Sequence, residues 1–257
     1  MEATQLFGEA VRKDPLPLDR TLLLVAAHDH EVDVEAVLLE IDSLASGVEE
    51  RTVEGIVHHL CADLGFVGNA DDYDAPDNSY LDRVVGRRTG LPILLSVVAI
   101  EVGRRLGVRV DGVGMPGHFI VGDSTGTDRF FDLFASGVEV DASDCRARHA
   151  AAHPQIPWSP AFLQPVDTMQ IVVRVLNNLM ASHRRRQHRR SAALIASLAV
   201  ALPGAGPREL LTYVGALAEA GYYDRAVRTA DVVARRLDPE AQAEVTAAAQ
   251  RYRARLN

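Results

Sequence analysis

The stretch from Asn78 to Asp132 constrains the fold most. It sets a helix that is apolar all round directly before a strand with one histidine and a strand with one aspartate. Thr89-Gly90-Leu91-Pro92 announces the helix, with Pro92 in the first turn, where the N–H it lacks has no helical partner to lose. Ile93, Leu94, Leu95, Val97, Val98, Ile100, Val102 and Leu106 cover nearly the whole circumference, so the predicted helix, about 93–106, is packed on most sides. Polar residues gather late, at Glu101, Arg104 and Arg105, and Gly107 suits the C-cap.

Val108-Arg109-Val110 opens an alternating, half-buried strand. Gly114-Met115-Pro116-Gly117-His118-Phe119-Ile120-Val121 and Arg129-Phe130-Phe131-Asp132-Leu133-Phe134 then flank turn-forming residues, and read as a hairpin. If the turn centres on Thr125, His118 and Asp132 fall directly opposite each other, with Cβ atoms roughly 4.5–5.5 Å apart. A carboxylate at that range bonds one imidazole nitrogen, fixes the tautomer and raises the basicity of the other. A slip of one residue would send the two side chains to opposite faces.

Five ordered blocks carry a family resemblance. They are Gly65-Phe66-Val67-Gly68-Asn69, Tyr73-Asp74-Ala75-Pro76-Asp77-Asn78-Ser79-Tyr80-Leu81, Arg87-Arg88-Thr89-Gly90-Leu91-Pro92, Gly112-Val113-Gly114-Met115-Pro116-Gly117-His118-Phe119 and Phe131-Asp132-Leu133-Phe134. The sequence resembles the SirB family, a bacterial branch of the transglutaminase-like superfamily that is usually followed by tetratricopeptide-type helices. The resemblance implies an α+β, papain-like core with an antiparallel sheet and a buried central helix. It also implies a triad: a cysteine at the head of that helix, a histidine on one strand and an aspartate on the next. His118 and Asp132 match the last two. The cysteine position falls at about Pro92 or Ile93, and neither side chain can attack a carbonyl.

Ser96, one turn further along, is the nearest polar candidate, although a serine inside an apolar helix usually bonds back to the preceding turn. Cys61, on an amphipathic helix, reads as a small core residue. Cys145 follows Asp141-Ala142-Ser143-Asp144 at a helix start, in the wrong place for the triad. Thiol-protease or transglutaminase chemistry is therefore argued against.

The candidate site comprises His118 and Asp132 as catalytic residues, with Asn78, Arg87, Arg88 and Ser96 as substrate-binding candidates. Arg87 and Arg88 either satisfy the carbonyls ending a short helix or reach toward the His118 pocket. No cofactor or metal is expected. His28-Asp29-His30-Glu31 and His58-His59 are adjacent rather than at i and i+4, so they splay apart, and the Asp71-Asp72-Asp74-Asp77 loop lacks the glycine and glutamate of an EF-hand.

Residues 1–160 read as a helical N-terminus plus this core, and 161–257 as an all-helical region. The helical region resembles tetratricopeptide units: Leu210, Leu217, Gly221, Tyr223 and Ala226 show the spacing, Ala192 precedes Ala226 by 34 residues, and Pro239 stands near a repeat end. These helices either cover the core or expose a surface for a protein partner. A net charge of −8 and a pI near 5.6 disfavour nucleic acid, and the Arg184-Arg185-Arg186 run reads as a solvated helix end. No apolar run approaches the roughly 18 residues of a membrane span, and the start of the chain shows no charged-then-apolar signal, so the expected location is the cytoplasm. Two functions stay open: an enzyme using His118 as general base or acid on an amide, peptide or acyl-type substrate, and a non-catalytic ligand-binding or regulatory adaptor on the same fold.

Overall fold

The structure, a computed structural model, describes residues 3–123, 129–235 and 239–255, so the turn predicted at Thr125 lies outside the described residues. Helices α1 (Ala3–Ala10), α2 (Leu18–Asp29) and α3 (Val34–Ser46) open the chain. Asp33 caps α3 by accepting the Ala36 N–H at 3.1 Å. Asp19 also looks like a cap in sequence, but it lies inside the first turn of α2, and Pro17 takes the cap position. The Asp19 carboxylate is buried and takes Nη2 of Arg104 at 3.1 Å and Nη2 of Arg105 at 2.9 Å. Two guanidiniums hold a carboxylate more strongly than one backbone N–H does.

Next come α4 (Val53–His58), which runs on into a π turn over His59–Asp63, and β1 (Val67–Gly68). Helix α5 (Leu81–Arg87) and β2 (Thr89–Gly90) lead into the central helix, α6 (Pro92–Leu106). The sequence places α6 one residue late. Every residue from Pro92 to Ala99 is buried, and Gly107 ends the helix at φ +71°. That left-handed conformation is one glycine adopts without a Cβ clash. β1 and β2 pair in parallel, Val67 with Thr89 and Gly68 with Gly90.

Strands β3 (Val110–Val113), β4 (Ile120–Asp123), β5 (Phe130–Asp132) and β6 (Val138–Val140) form one antiparallel sheet in chain order. β6 and the helix after it, α7 (Ala142–Ala152), occupy a stretch that reads as polar and turn-rich; Asp141 and Asp144 start α7 with a reciprocal capping box. The chain ends in helices: α8 (Thr168–Arg185), α9 (Arg189–Ala201), α10 (Pro207–Glu219), α11 (Tyr223–Ala234) and α12 (Pro239–Arg253).

One apolar core runs from Phe7 and Leu23 through Leu94, Val97, Val98, Phe119 and Phe131 to Val172, Leu179 and Leu198, on both sides of residue 160. Each such side chain stabilises by about 1.5–3 kcal/mol on burial. Helices α10 to α12 add smaller clusters built largely on alanines. Charge ties α8 to the acidic loop: Arg185 pairs with Asp74 and Arg186 with Asp72, while Ser182 Oγ donates to the Asp74 carbonyl at 2.6 Å. The basic run is exposed, as a solvated helix end would be, and is also matched to that loop. The architecture is α+β, with a buried central helix packed beside an antiparallel sheet and a helical C-terminal part.

Candidate functional site

The turn between β3 and β4 presents His118. Gly117 holds φ +71°, and a Cβ there would stand 2.3 Å from Nε2 of His153, so the turn needs glycine twice over. The His118 N–H donates to the Met115 carbonyl at 3.2 Å, which closes the turn. Nε2 of His118 lies 2.9 Å from Oδ2 of Asp132, the last residue of β5.

The strand register differs from the predicted one. Val121 pairs with Phe131 and Gly122 with Phe130, a displacement of two residues, and His118 precedes β4 instead of lying within it. A two-residue displacement keeps every side chain on its face, so the pair still meets, diagonally rather than directly opposite.

Asp132 is 1% exposed and is held by three donors: His118, the Ala135 N–H at 3.2 Å, and Arg148 of α7. Burial alone would raise its carboxyl. The His118 bond and charge, then the Ala135 N–H and the Arg148 charge, prevail and hold it below the usual carboxylate range. Nδ1 of His118 carries no hydrogen bond among the described residues.

His118 lines a cleft of about 520 Å³, whose other walls include Pro92 and Ile93 at the head of α6, Tyr73, and Arg174 of α8. The ring of Phe134 stands edge-on to both His118, at 6.4 Å, and Tyr73, at 5.7 Å. An imidazole, a carboxylate behind it and the head of a buried helix therefore surround one space.

A family model described as transglutaminase-like superfamily matches residues 27–177, more than half of the chain and all of this geometry except part of α8. The chain belongs to the transglutaminase-like superfamily. A UPF0162 protein of Xylella fastidiosa strain Temecula1 is 38% identical over 186 residues, which make up 66% of this chain and 66% of that protein. A UPF0162 protein of Pseudomonas aeruginosa is 26% identical over 194 residues, 71% of each chain. F-box only protein 21 of Mus musculus is 26% identical over 162 residues, 58% of this chain but 24% of that protein. The chain thus spans just under two thirds of the length of the Xylella relative. No solved structure matches.

In this transglutaminase-like chain no cysteine lines the cleft. Cys61 is buried, and burial together with the nearby charge of Asp132 pushes its thiol up to about 12. Cys145 is buried in a side cluster with Met115 and Ile120, and burial pushes its thiol up to about 11. Ser96 is fully buried one turn below the head of α6. Its Oγ has no hydrogen-bond partner among the described residues, so the back-bond expected of a helical serine is absent and the side chain does not line the cleft.

Arg87 and Arg88 are exposed and lie away from the cleft. Arg87 approaches Asp77 at 3.8 Å, while Arg88, at φ +55°, donates to the Leu64 carbonyl at 2.9 Å instead of closing its own helix. Asn78 is fully buried behind two of the walls. Its Nδ2 donates to the carbonyls of Asp72, at 2.7 Å, and Tyr73, at 3.2 Å, and its own carbonyl accepts the Leu91 N–H at 2.9 Å.

Sequence reasoning missed Arg148, Tyr73 and Arg174. Only Arg174 left a trace, as a lone cation among Ile171, Val172, Val175 and Leu176. The histidine-rich segment near residue 30 is dispersed: His28 reaches Thr4 and Ser197, and His30 lies 2.9 Å from Asp82. Among the described residues no group of three or more His, Cys, Asp or Glu could hold a metal ion, and no helix is long and apolar enough to cross a membrane.

Proposed function

We propose that this transglutaminase-like protein works without a cysteine nucleophile, and that His118 and Asp132 carry out general acid/base chemistry on an amide, peptide or acyl-type substrate bound in the cleft. One observation carries the reading: Nε2 is tied to a buried carboxylate while Nδ1 of the same ring has no partner among the described residues and the side chain lines open space. A neutral imidazole that donates Nε2–H to Asp132 presents the Nδ1 lone pair as a base. The base takes a proton from a water whose oxygen adds to the substrate carbonyl, then returns it to the leaving nitrogen, so acid and amine are the products. The step needs neither thiol nor cofactor. Asn78 supports it as a positioning residue; nothing in their placement recommends Arg87, Arg88 or Ser96 for substrate.

The test is turnover on a panel of amides, peptides and esters by the full chain and by His118→Gln. Turnover that falls roughly 10²–10⁴-fold with folding intact agrees with the proposal. A wild-type chain inert toward the whole panel sinks it.

A second reading is favoured by Pro92 and Ile93 at the head of α6 and by the two protonated thiols: the superfamily fold acts as a non-catalytic ligand-binding or regulatory adaptor. Ligand binding that survives His118→Gln without any turnover would favour it. Under either reading we assign the chain to the SirB branch on its five blocks, and read α9 to α12 as tetratricopeptide-like on the 34-residue spacing of two buried alanines, Ala192 and Ala226. These helices could then hold a protein partner. The two free thiols fit a reducing compartment, and on that ground the cytoplasm is proposed.

A further inference from the structure

The wall of the cleft contributed by α8 contains an unusual cation. Arg104, Arg105, Arg129, Arg148, Arg185 and Arg186 each pair with a carboxylate. Arg174 pairs with none among the described residues, although it is more enclosed by protein than those at the surface. Its Nη2 donates to the carbonyls of Met115, at 2.7 Å, and His118, at 2.6 Å, and its guanidinium stands 5.4 Å over the ring of Phe119. Nη1 and Nε carry no hydrogen bond among the described residues.

The backbone makes room for this group, since a Cβ on Gly114 would come within 2.9 Å of Nη1. Burial pulls the guanidinium's affinity for its proton down, and among the described residues only Tyr73, which lines the same cleft, counters it. Enclosed charges are ordinarily paired, because desolvation without a counter-ion is costly. Here the missing counter-ion would lie in the cleft, beside His118.

We propose that Arg174 binds a carboxylate of the ligand, so that the cleft accepts an amide or peptide-like molecule carrying a free carboxylate close to the bond presented to His118. This rests on the reading of the cleft as the ligand site. Carbonyls occupy Nη2, which both two-pronged edges of a guanidinium share, so the two N–H donors of Nη1 and the one of Nε are left facing different sides instead of forming an open fork. That arrangement suits one carboxylate oxygen at a time better than a phosphate, which would bring two or three charged oxygens to a single cation. The fixed carbonyl contacts also couple ligand charge to the turn that aims His118.

The test is calorimetric titration of the full chain with a set of N-acetylamino acids, with the corresponding C-terminal amides, and with inorganic phosphate. At least one N-acetylamino acid is expected to bind about tenfold or more tightly than its amide and than phosphate. Arg174→Gln should erase the acid-over-amide preference, and Arg174→Lys should retain part of it. Equal binding of acid and amide, tighter binding of phosphate, no binding of any acid, or a preference that survives Arg174→Gln would each overturn the proposal. A purely structural brace shows itself as a lower melting temperature with acid and amide weakened alike, which also overturns it. If Arg174→Gln does not fold, Arg174→Lys and Gly114→Ala, which crowds Nη1, decide by whether the preference shrinks. His118→Gln separates the two claims. An acid preference intact there, with no turnover by any form, sinks the catalytic reading and keeps the carboxylate site.

Discussion

His118, 24% exposed and bonded through one nitrogen, contrasts with His183 of α8, 3% exposed and bonded through both. Nε2 of His183 lies 2.8 Å from the Tyr80 hydroxyl, which donates to Asp29 at 2.8 Å, and Nδ1 lies 3.4 Å from Nδ1 of His188. Burial first, then the charge of Asp29, pushes the Tyr80 phenol upward, so it keeps its proton for Asp29, and its oxygen accepts from the His183 Nε2–H. The chain Asp29–Tyr80–His183 therefore bolts α2, the start of α5 and α8 together. Both histidines stand in a network with a carboxylate, and only His118 keeps a nitrogen for something else. Access, more than the presence of a shifted titratable group, separates a candidate for chemistry from a bolt.

The largest expected effect follows from that contrast. Where wild type turns over a substrate, His118→Gln should lower the rate roughly 10²–10⁴-fold and His183→Gln should leave it within about threefold, measured where both are folded. A rate that depends on His183 instead would reverse the assignment. Next in size is thiol labelling near neutral pH. With Cys61 at about 12 and Cys145 at about 11, the native chain should react on the order of a thousandfold more slowly than the same chain in urea. One fast-labelling native thiol would return a nucleophile to contention.

Stability should sort the two histidines the other way. His183→Ala opens a cavity and removes the partner of a buried phenol, a loss of about 3 kcal/mol in urea unfolding. His118→Ala should cost under about 1 kcal/mol, because Asp132 keeps Arg148 and the Ala135 N–H and the imidazole already meets solvent. Equal losses would show that His118 is a bolt too.

Much of the fold on the His118 side was legible. The apolar circumference of α6, Pro92 and Gly107 are local signals, and local signals survive without knowledge of the tertiary structure. The His118–Asp132 pairing was legible for a subtler reason, because strand periodicity forgives an even error in register. What was not legible is long-range. β6 is three residues with two exposed, too short for a pattern, and nothing in the weakly amphipathic α7 marks Arg148 as the residue that reaches Asp132. Asp19 misled for the same reason, since its partners lie 85 and 86 residues away. The His183 network joins residues 51 and 103 apart and could not have been read from either end.

The smallest expected effect is the pH dependence of that network. Burial, helped by the positive charge His188 acquires and opposed by Asp29, holds His183 below the ordinary histidine value of 6.5. The unfolded chain therefore binds this proton more readily, so the contribution of His183 to stability is complete above about pH 6.5 and declines as pH falls below it, by at most about 1.4 kcal/mol per unit. Asp132 cannot mimic this, because its folded value lies below 3.8 and its contribution is lost only at more acid pH. Glu101 is raised above 4.5, chiefly by burial, and pushes the other way, since the folded state binds its proton first. Urea unfolding of wild type and His183→Gln at about pH 7.5 and about pH 5.5 isolates the term, because contributions common to both chains cancel in the difference. The gap between the two chains should narrow at the lower pH. A gap that stays constant would mean that the His183 ring takes up its proton as readily in the folded chain as in the unfolded one, and its standing as an enclosed bolt would be lost.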